Sequence, residues 1–493
     1  MREASLVPVS SRIPPFLKQV VEQRGERQQK GKKLAEHDSR EMLGSRLGFL
    51  FLSAGCAIGL GNVWRFPFIT GEYGGAAFVL IYILFLILLG LPIMVMEFSV
   101  GRAAQRGVGK AFQILEPRGT RWHLFGYGII LGPYILLMFY TTVTGWMMAY
   151  CWHMAVGDLS GLTPAQTGEF FGAVLGSPSE QLVWMTLAVL TGLLVCMLGL
   201  QKGVERVTKW MMACLLIVMG FLVIRAVTLP NAEAGIAFYL KPDFGKMVDE
   251  GLWEAVYAAM GQAFFTLSLG IGCMTIFGSY IDRQRSLTGE SVTIMILDTF
   301  VALMAGMIIF PACFSFGVDA GSGPGLVFVT LPNVFNSMPM GRFWGFLFFV
   351  FMSFAALTTV IAVFENIVAY FMDVLHWSRR KAVLINGVLV FLLSIPCALG
   401  FNILSDVQPF GPNSGILDLE DFIVSNNLLP LGSMVFLFFC CSRRGWGWNA
   451  FMDEADAGKG LKFPRCLRLY VTYVLPAIVF IVFIQGYIDK FGK

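Results

Sequence analysis

Gly55, Gly59, Gly61 and Asn62 fall within eight residues of one apolar run, Ser53-Ala-Gly-Cys-Ala-Ile-Gly-Leu-Gly-Asn62-Val-Trp-Arg65. All four are poor helix formers. A helix that unwinds there releases carbonyl oxygens able to hold a cation, and begins a second half-helix whose N-terminus suits an anion. A second stretch, Gly261-Gln-Ala-Phe-Phe265-Thr266-Leu-Ser268-Leu-Gly270-Ile-Gly272, repeats the combination of glycines with polar side chains. Glu97 and Glu365 also sit inside apolar runs and read as supports for such breaks. Other chemistry is poorly served. Ten Cys lie mostly inside apolar runs without CxxC spacing, and His37, His123, His153 and His376 form no HExxH pattern. With no nucleophile–base pair at depth either, the chain does not read as an enzyme.

The elements that must position these residues are membrane helices. Of 493 residues 56% are apolar and 14% charged, with mean hydropathy +0.70, far too little charged surface for a soluble protein of this length. Runs long enough to span centre near 48–70, 76–100, 124–150, 183–200, 205–228, 254–280, 290–317, 343–373, 382–399, 422–441 and 469–487. That makes about eleven spans of the ~20-residue kind a bilayer requires. The polar first 47 residues lack the apolar core of a cleavable signal, so residues 1–47 read as a cytoplasmic tail. Basic residues recur in alternate connections: Arg102, Arg106 and Lys110; Lys202 and Arg206; Arg283 and Arg285; Arg379, Arg380 and Lys381; Arg443 and Arg444. The connections 152–182 and 400–421 carry none. This asymmetry places the N-terminus in the cytoplasm of a cell whose inner membrane holds the protein.

An unwound segment in hydrocarbon costs several kcal/mol for each unsatisfied backbone group unless it lines a cavity. One glycine-rich span alone is a packing feature. Two such spans, the first and the sixth, separated by five and therefore antiparallel, are the sequence pointer to an inverted-repeat transporter.

The segments GCAIGLGNVWRFP at 55–67, GQAFFTLSLG at 261–270 and FAALTTVIAVFEN at 354–366 resemble the signatures of the neurotransmitter:sodium symporter family, in its bacterial amino-acid branch. The resemblance implies an all-α polytopic fold of about eleven helices. A first repeat would occupy 48–228 and an inverted second repeat 254–443, with helices 1 and 6 broken and a peripheral helix at 468–488. It implies two sodium sites. One would use Ala57, Asn62, Thr266 and Asp298 with the substrate carboxylate. The other would use Gly55, Ile58, Ala355, Thr358 and Thr359. The substrate, a neutral α-amino acid, would meet the amides of Leu60 and Gly61 and the hydroxyl of Tyr140 with its carboxylate. Its ammonium would meet the carbonyls of Ala57, Phe265 and Thr266 and the Ser268 hydroxyl. Leu136, Phe265, Ile271, Thr359 and Val363 would line the side-chain pocket. Gly59 stands where monoamine carriers have Asp, which favours a substrate bringing its own carboxylate. Arg65 with Asp421, and Arg40 with Asp373, would form the two gates. The implied partners are a small amino acid and the lipid bilayer, with no nucleic acid and a monomer sufficient for transport.

Departures from the pattern carry their own expectations. Asp298 stands where many relatives have Asn, and Ala302 replaces the Ser that chloride-dependent members keep. A carboxylate about 4 Å from sodium interacts by about 4 kcal/mol at an effective dielectric of 20, so no chloride requirement is expected. Tyr82, Gln262 and Thr266 of the chloride site remain. Leu43 replaces an inner-gate Trp. Ala213 stands where a Pro follows Gly203, and since proline weakens a helix by roughly 3 kcal/mol, unwinding there should be harder.

Overall fold

Each apolar run becomes helix because backbone groups in hydrocarbon must find partners within their own segment. The computed structural model describes residues 42–317, 325–412 and 414–492. Its first five spans are α1 (Arg46–Ala57, then Gly61–Glu72 after a 54° bend), α2 (Ala76–Ala104), α3 (His123–Val156), α4 (Pro178–Met197) and α5 (Leu200–Val227). The sixth, α6, is Phe244–Thr266 followed by Cys273–Gly278. The rest are α7 (Leu287–Ser315), α8 (Gly341–Leu375), α9 (Arg379–Leu399), α10 (Ile416–Cys441) and α11 (Arg465–Ile488). Nine of these are long and apolar enough to cross a membrane, and the bent α1 pair makes a tenth. The eleventh predicted span, α6, falls outside that count because its first half carries Asp249 and Glu254 and its second half is only six residues long. Among the described residues there is no strand, only an isolated bridge between Arg285 and Lys459.

The broken helices sit inside. The most apolar window of α8 is 78% buried within the protein, against 28% for α5 and for α11, so α8 is an interior wall and the other two lie outermost. α1 packs on α7 and α8, both parts of α6 pack on α2, and α3 lies along α8 with α4 and α9 behind it. α1 starts at Ser45, whose hydroxyl accepts the Gly48 N–H at 3.0 Å as an N-cap. Glu205 at the start of α5 anchors that cap, taking the Gly44 N–H at 2.8 Å and the Ser45 hydroxyl at 2.7 Å.

On the same face the connection between α10 and α11 is pinned by a buried ion pair. Arg102 at the end of α2 donates Nε to Glu454 Oε1 at 2.6 Å, and the side chains are 0% and 3% exposed. Arg102 also donates to the carbonyls of Glu454 and Arg285, and Arg283 pairs with the other Glu454 oxygen. Of the departures, Leu43 packs against the core. Ala213 lies inside the uninterrupted α-helix Arg206–Val227, preceded by a π turn at Leu200–Glu205. The helix is wound at Ala213, and Gly203 lies in the π turn, where an added Cβ would lie 2.1 Å from the Val195 carbonyl.

Candidate substrate and sodium site

The break in α1 is built by redirected amides. In an unbroken helix Gly59, Leu60 and Asn62 would donate to the carbonyls of Gly55, Cys56 and Ile58. Instead the Gly59 N–H donates to Asn62 Oδ1 at 3.2 Å, the Leu60 N–H to Tyr140 Oη at 2.9 Å, and the Asn62 N–H to the Gly59 carbonyl at 3.1 Å. Three carbonyls are thereby released. Two find side chains: Gly55 O accepts from Thr359 Oγ1 at 3.1 Å, and Cys56 O from Ser268 Oγ at 3.3 Å.

The break in α6 uses left-handed backbone at Ser268 (φ 50°), Gly270 (φ 88°) and Gly272 (φ 77°). For Ser268 that conformation costs of order 1 kcal/mol or more, a strain of the kind found at functional sites. Gly270 is required on two counts, since a Cβ there would also lie 2.2 Å from the Leu429 carbonyl of α10. Glu97 and Asn366 hold the loop open: Glu97 Oε1 accepts the Gly270 N–H at 2.5 Å, and Asn366 Nδ2 donates to Ile271 O at 3.3 Å. Glu365 points elsewhere, accepting from Tyr280 at 3.1 Å and pairing with Arg379. Replacing Glu97 with Ala leaves a buried amide unsatisfied, a cost of about 1–3 kcal/mol. The expected outcome is a lower thermal midpoint in detergent, with Glu97→Gln in between.

Two clusters of buried oxygen atoms result. In one, Thr358 Oγ1 lies 3.0 Å and Thr359 Oγ1 3.4 Å from the Ala355 carbonyl, with Gly55 O bonded to Thr359; all are buried. Ile58 is buried at the end of the first half of α1. In the other, Asn62 Nδ2 donates to Asp298 Oδ1 at 2.9 Å and to its carbonyl at 3.1 Å, and Thr266 Oγ1 lies 3.2–3.3 Å from both carboxylate oxygens. Asp298 is 0% exposed, and among the described residues no Lys or Arg makes an ion pair with it. A buried carboxylate surrounded by neutral groups is a favourable place for a small cation. Gln262 donates to Gly61 O at 2.7 Å while its Oε1 is buried without a hydrogen-bond partner.

Beside the clusters lies a small chamber of about 20 Å³, room for about one water. Ala57, Gly59, Gly61, Leu136, Tyr140, Phe265, Ser268, Ile271 and Thr359 line it. Leu60 and Thr266 adjoin through their neighbours, and Val363 is fully buried but not in the lining. A Cβ on Gly59 would lie 2.3 Å from Tyr140 Oη and 2.6 Å from Thr359 Oγ1, so an acidic side chain does not fit here. Three lining residues escaped sequence reasoning: Cys56, Val424 and Leu429. The last two come from α10, where an apolar residue carries no mark distinguishing chamber from packing.

The expected gates differ from each other. Arg65 and Asp421 make no ion pair: Arg65 lies over the Phe265 ring at 4.7 Å, and Asp421 Oδ1 accepts from Ser425 at 2.7 Å. Arg40 lies outside the described residues. Asp373 accepts the Gly107 N–H at 2.7 Å and faces Arg106 Nε at 3.8 Å.

Two broken helices that bring buried oxygens and a small chamber together inside a bundle of membrane helices are the layout of a transporter. The chain belongs to the sodium:neurotransmitter symporter family, whose profile matches residues 40–161 and 173–491. It is similar to the uncharacterized sodium-dependent transporter YhdH of Bacillus subtilis, 40% identical over 90% of this chain and 96% of that one. The sodium-dependent serotonin transporter of Drosophila melanogaster is 27% identical over 92% of this chain and 78% of its own length. Among solved structures, MhsT in complex with L-phenylalanine is 37% identical, with a TM-score of 0.81 over 91% of this chain and all of that one.

Proposed function

We propose that this protein is a sodium-coupled symporter of neutral, hydrophobic α-amino acids, working by alternating access without chloride. The observation that carries the reading is the chamber itself. It brings the break in α1, Tyr140 Oη and the Ser268 hydroxyl together among apolar walls that leave a charged side chain unpaired. The likeness to MhsT, solved with an amino acid, supports the same substrate class.

In this reading the substrate carboxylate meets the amides of Leu60 and Gly61 and completes the ligand set of Ala57, Asn62, Thr266 and Asp298. One shared ligand makes sodium and substrate each bind better when the other is present. Gly55, Ile58, Ala355, Thr358 and Thr359 hold the second sodium. Asp298 supplies the negative charge that chloride supplies elsewhere. Arg65 with Asp421 closes the outer side, and Arg40 with Asp373 the cytoplasmic side where the N-terminus lies. The setting is a bacterial inner membrane, and one chain suffices.

The test is uptake of a labelled neutral amino-acid panel into proteoliposomes under an inward sodium gradient, in chloride and in gluconate. Sodium-driven accumulation at equal rates in the two anions is expected. Folded protein that accumulates no amino acid with sodium overturns the assignment. Tyr140→Phe removes the hydroxyl that sets the carboxylate end, and a hydrogen bond to a charged group contributes about 1.5–3 kcal/mol. Its KM for substrate should rise about tenfold or more, with sodium dependence retained.

A further inference from the structure

We propose that Cys56 and Cys273 form a redox-sensitive dithiol between the two broken helices, which hydrogen peroxide converts to a disulfide that stops transport. The proposal rests on the alternating-access reading given above and adds a modification site to it.

Each cysteine stands at the lip of a break. Cys56 is the last residue but one in the first half of α1, and Cys273 opens the second half of α6. These two half-helices pack on each other, and the Cys273 thiol faces the Cys56 thiol. Side chains from both sides hold the junction in register. Ser268 Oγ donates to the Cys56 carbonyl at 3.3 Å. Asn366 Nδ2 donates to Cys273 Sγ at 3.4 Å, so the amide that holds the α6 loop also holds this sulfur. Among the described residues, Cys56 is the one cysteine in the chamber lining.

Burial by itself leaves a thiol inert. Cys56 is 1% exposed and Cys273 0%, beside a chamber with room for about one water. A carrier working by alternating access must open that chamber to admit an amino acid, and hydrogen peroxide is smaller than any amino acid. Opening therefore brings peroxide to Cys56. The Cys56 thiolate attacks one peroxide oxygen, the O–O bond breaks, and the other oxygen leaves as water, giving a sulfenic acid. The Cys273 sulfur then attacks the Cys56 sulfur, and the sulfenic oxygen leaves as a second water. The two sulfurs give up two electrons and their two protons, and one peroxide becomes two waters. The first half of α1 leads in from the cytoplasmic tail, and the second half of α6 leads out to the basic connection at Arg283 and Arg285. Release toward the cytoplasm requires these two half-helices to part, which a covalent bond between them prevents.

The test is peroxide treatment of wild-type proteoliposomes, with peptide mapping by mass spectrometry and uptake of the labelled amino-acid panel as readouts. A peptide joining Cys56 to Cys273 should appear as uptake is lost, and dithiothreitol should reverse both by thiol–disulfide exchange. Cys273→Ala protein cannot form the bond, and its uptake, relative to its own untreated rate, should survive the same treatment; Cys273→Ser serves if the alanine variant does not fold. Absence of the joined peptide overturns the proposal, as does a joined peptide in protein that still transports. Equal loss of uptake in Cys273→Ala protein overturns it too. Untreated wild-type protein that carries no amino acid instead overturns the transport reading, while the joined peptide still reports on the dithiol.

Discussion

Asp298→Asn protein in liposomes should need on the order of 1,000-fold more sodium for half-maximal uptake. The substitution preserves shape, and the amide oxygen can still accept from Asn62 Nδ2, now at 2.9 Å from the carboxylate. What it removes is the one negative charge at the buried site beside Thr266. Two unit charges 4 Å apart interact by about 4 kcal/mol at an effective dielectric of 20, and each 1.4 kcal/mol is tenfold in affinity. Sodium titrations of uptake in gluconate give the number directly. Repeating them in chloride separates two accounts of the charge. If wild-type protein is stimulated by chloride, Asp298 is not the chloride substitute. If only Asp298→Asn protein is, the vacated charge is what chloride replaces.

Glu454→Ala should lower the stability of the folded bundle by about 3–5 kcal/mol, because it strands the fully buried guanidinium of Arg102. The pair is not stabilising merely for being a pair, since desolvating two ions offsets most of their attraction. The double variant Arg102→Leu/Glu454→Ala, which removes both charges, should therefore recover much of the loss. Thermal midpoints in detergent for the two singles and the double measure this, and a double variant no better than either single would sink the argument. The pair also joins α2 to the connection beyond α10 and, through the Arg285 carbonyl, to the loop after α6. Loss of this tie is expected to raise proteolytic access to that connection before global unfolding.

Much of the site was legible in the chain because the cost of unwinding in hydrocarbon is local. Gly55, Gly59, Gly61 and Asn62, and later Ser268, Gly270 and Gly272, announce their breaks by residue type alone, and the structure breaks both helices there. The oxygen-bearing side chains were visible for the same reason: Thr358, Thr359, Asn62, Thr266 and Asp298 are polar inside apolar runs and must be satisfied by something. Glu97 was visible as a buried carboxyl, but its partner, the Gly270 amide, comes 173 positions later and is brought to it by packing alone.

What composition and local pattern decide is therefore the class of element and the place where it fails: membrane helices, two interrupted ones, and polar groups at depth. These follow from the free energy of one residue and its immediate neighbours in a nonpolar solvent. What waits for the tertiary structure is everything that depends on which helix faces which. Val424 and Leu429 join the chamber only because α10 lies against it, Val363 drops out of its lining, and Arg65 and Asp421 find other partners. The size and lining of the chamber are sums of contacts between residues remote in sequence. No local term records such sums, because side-chain packing is settled only when distant surfaces meet.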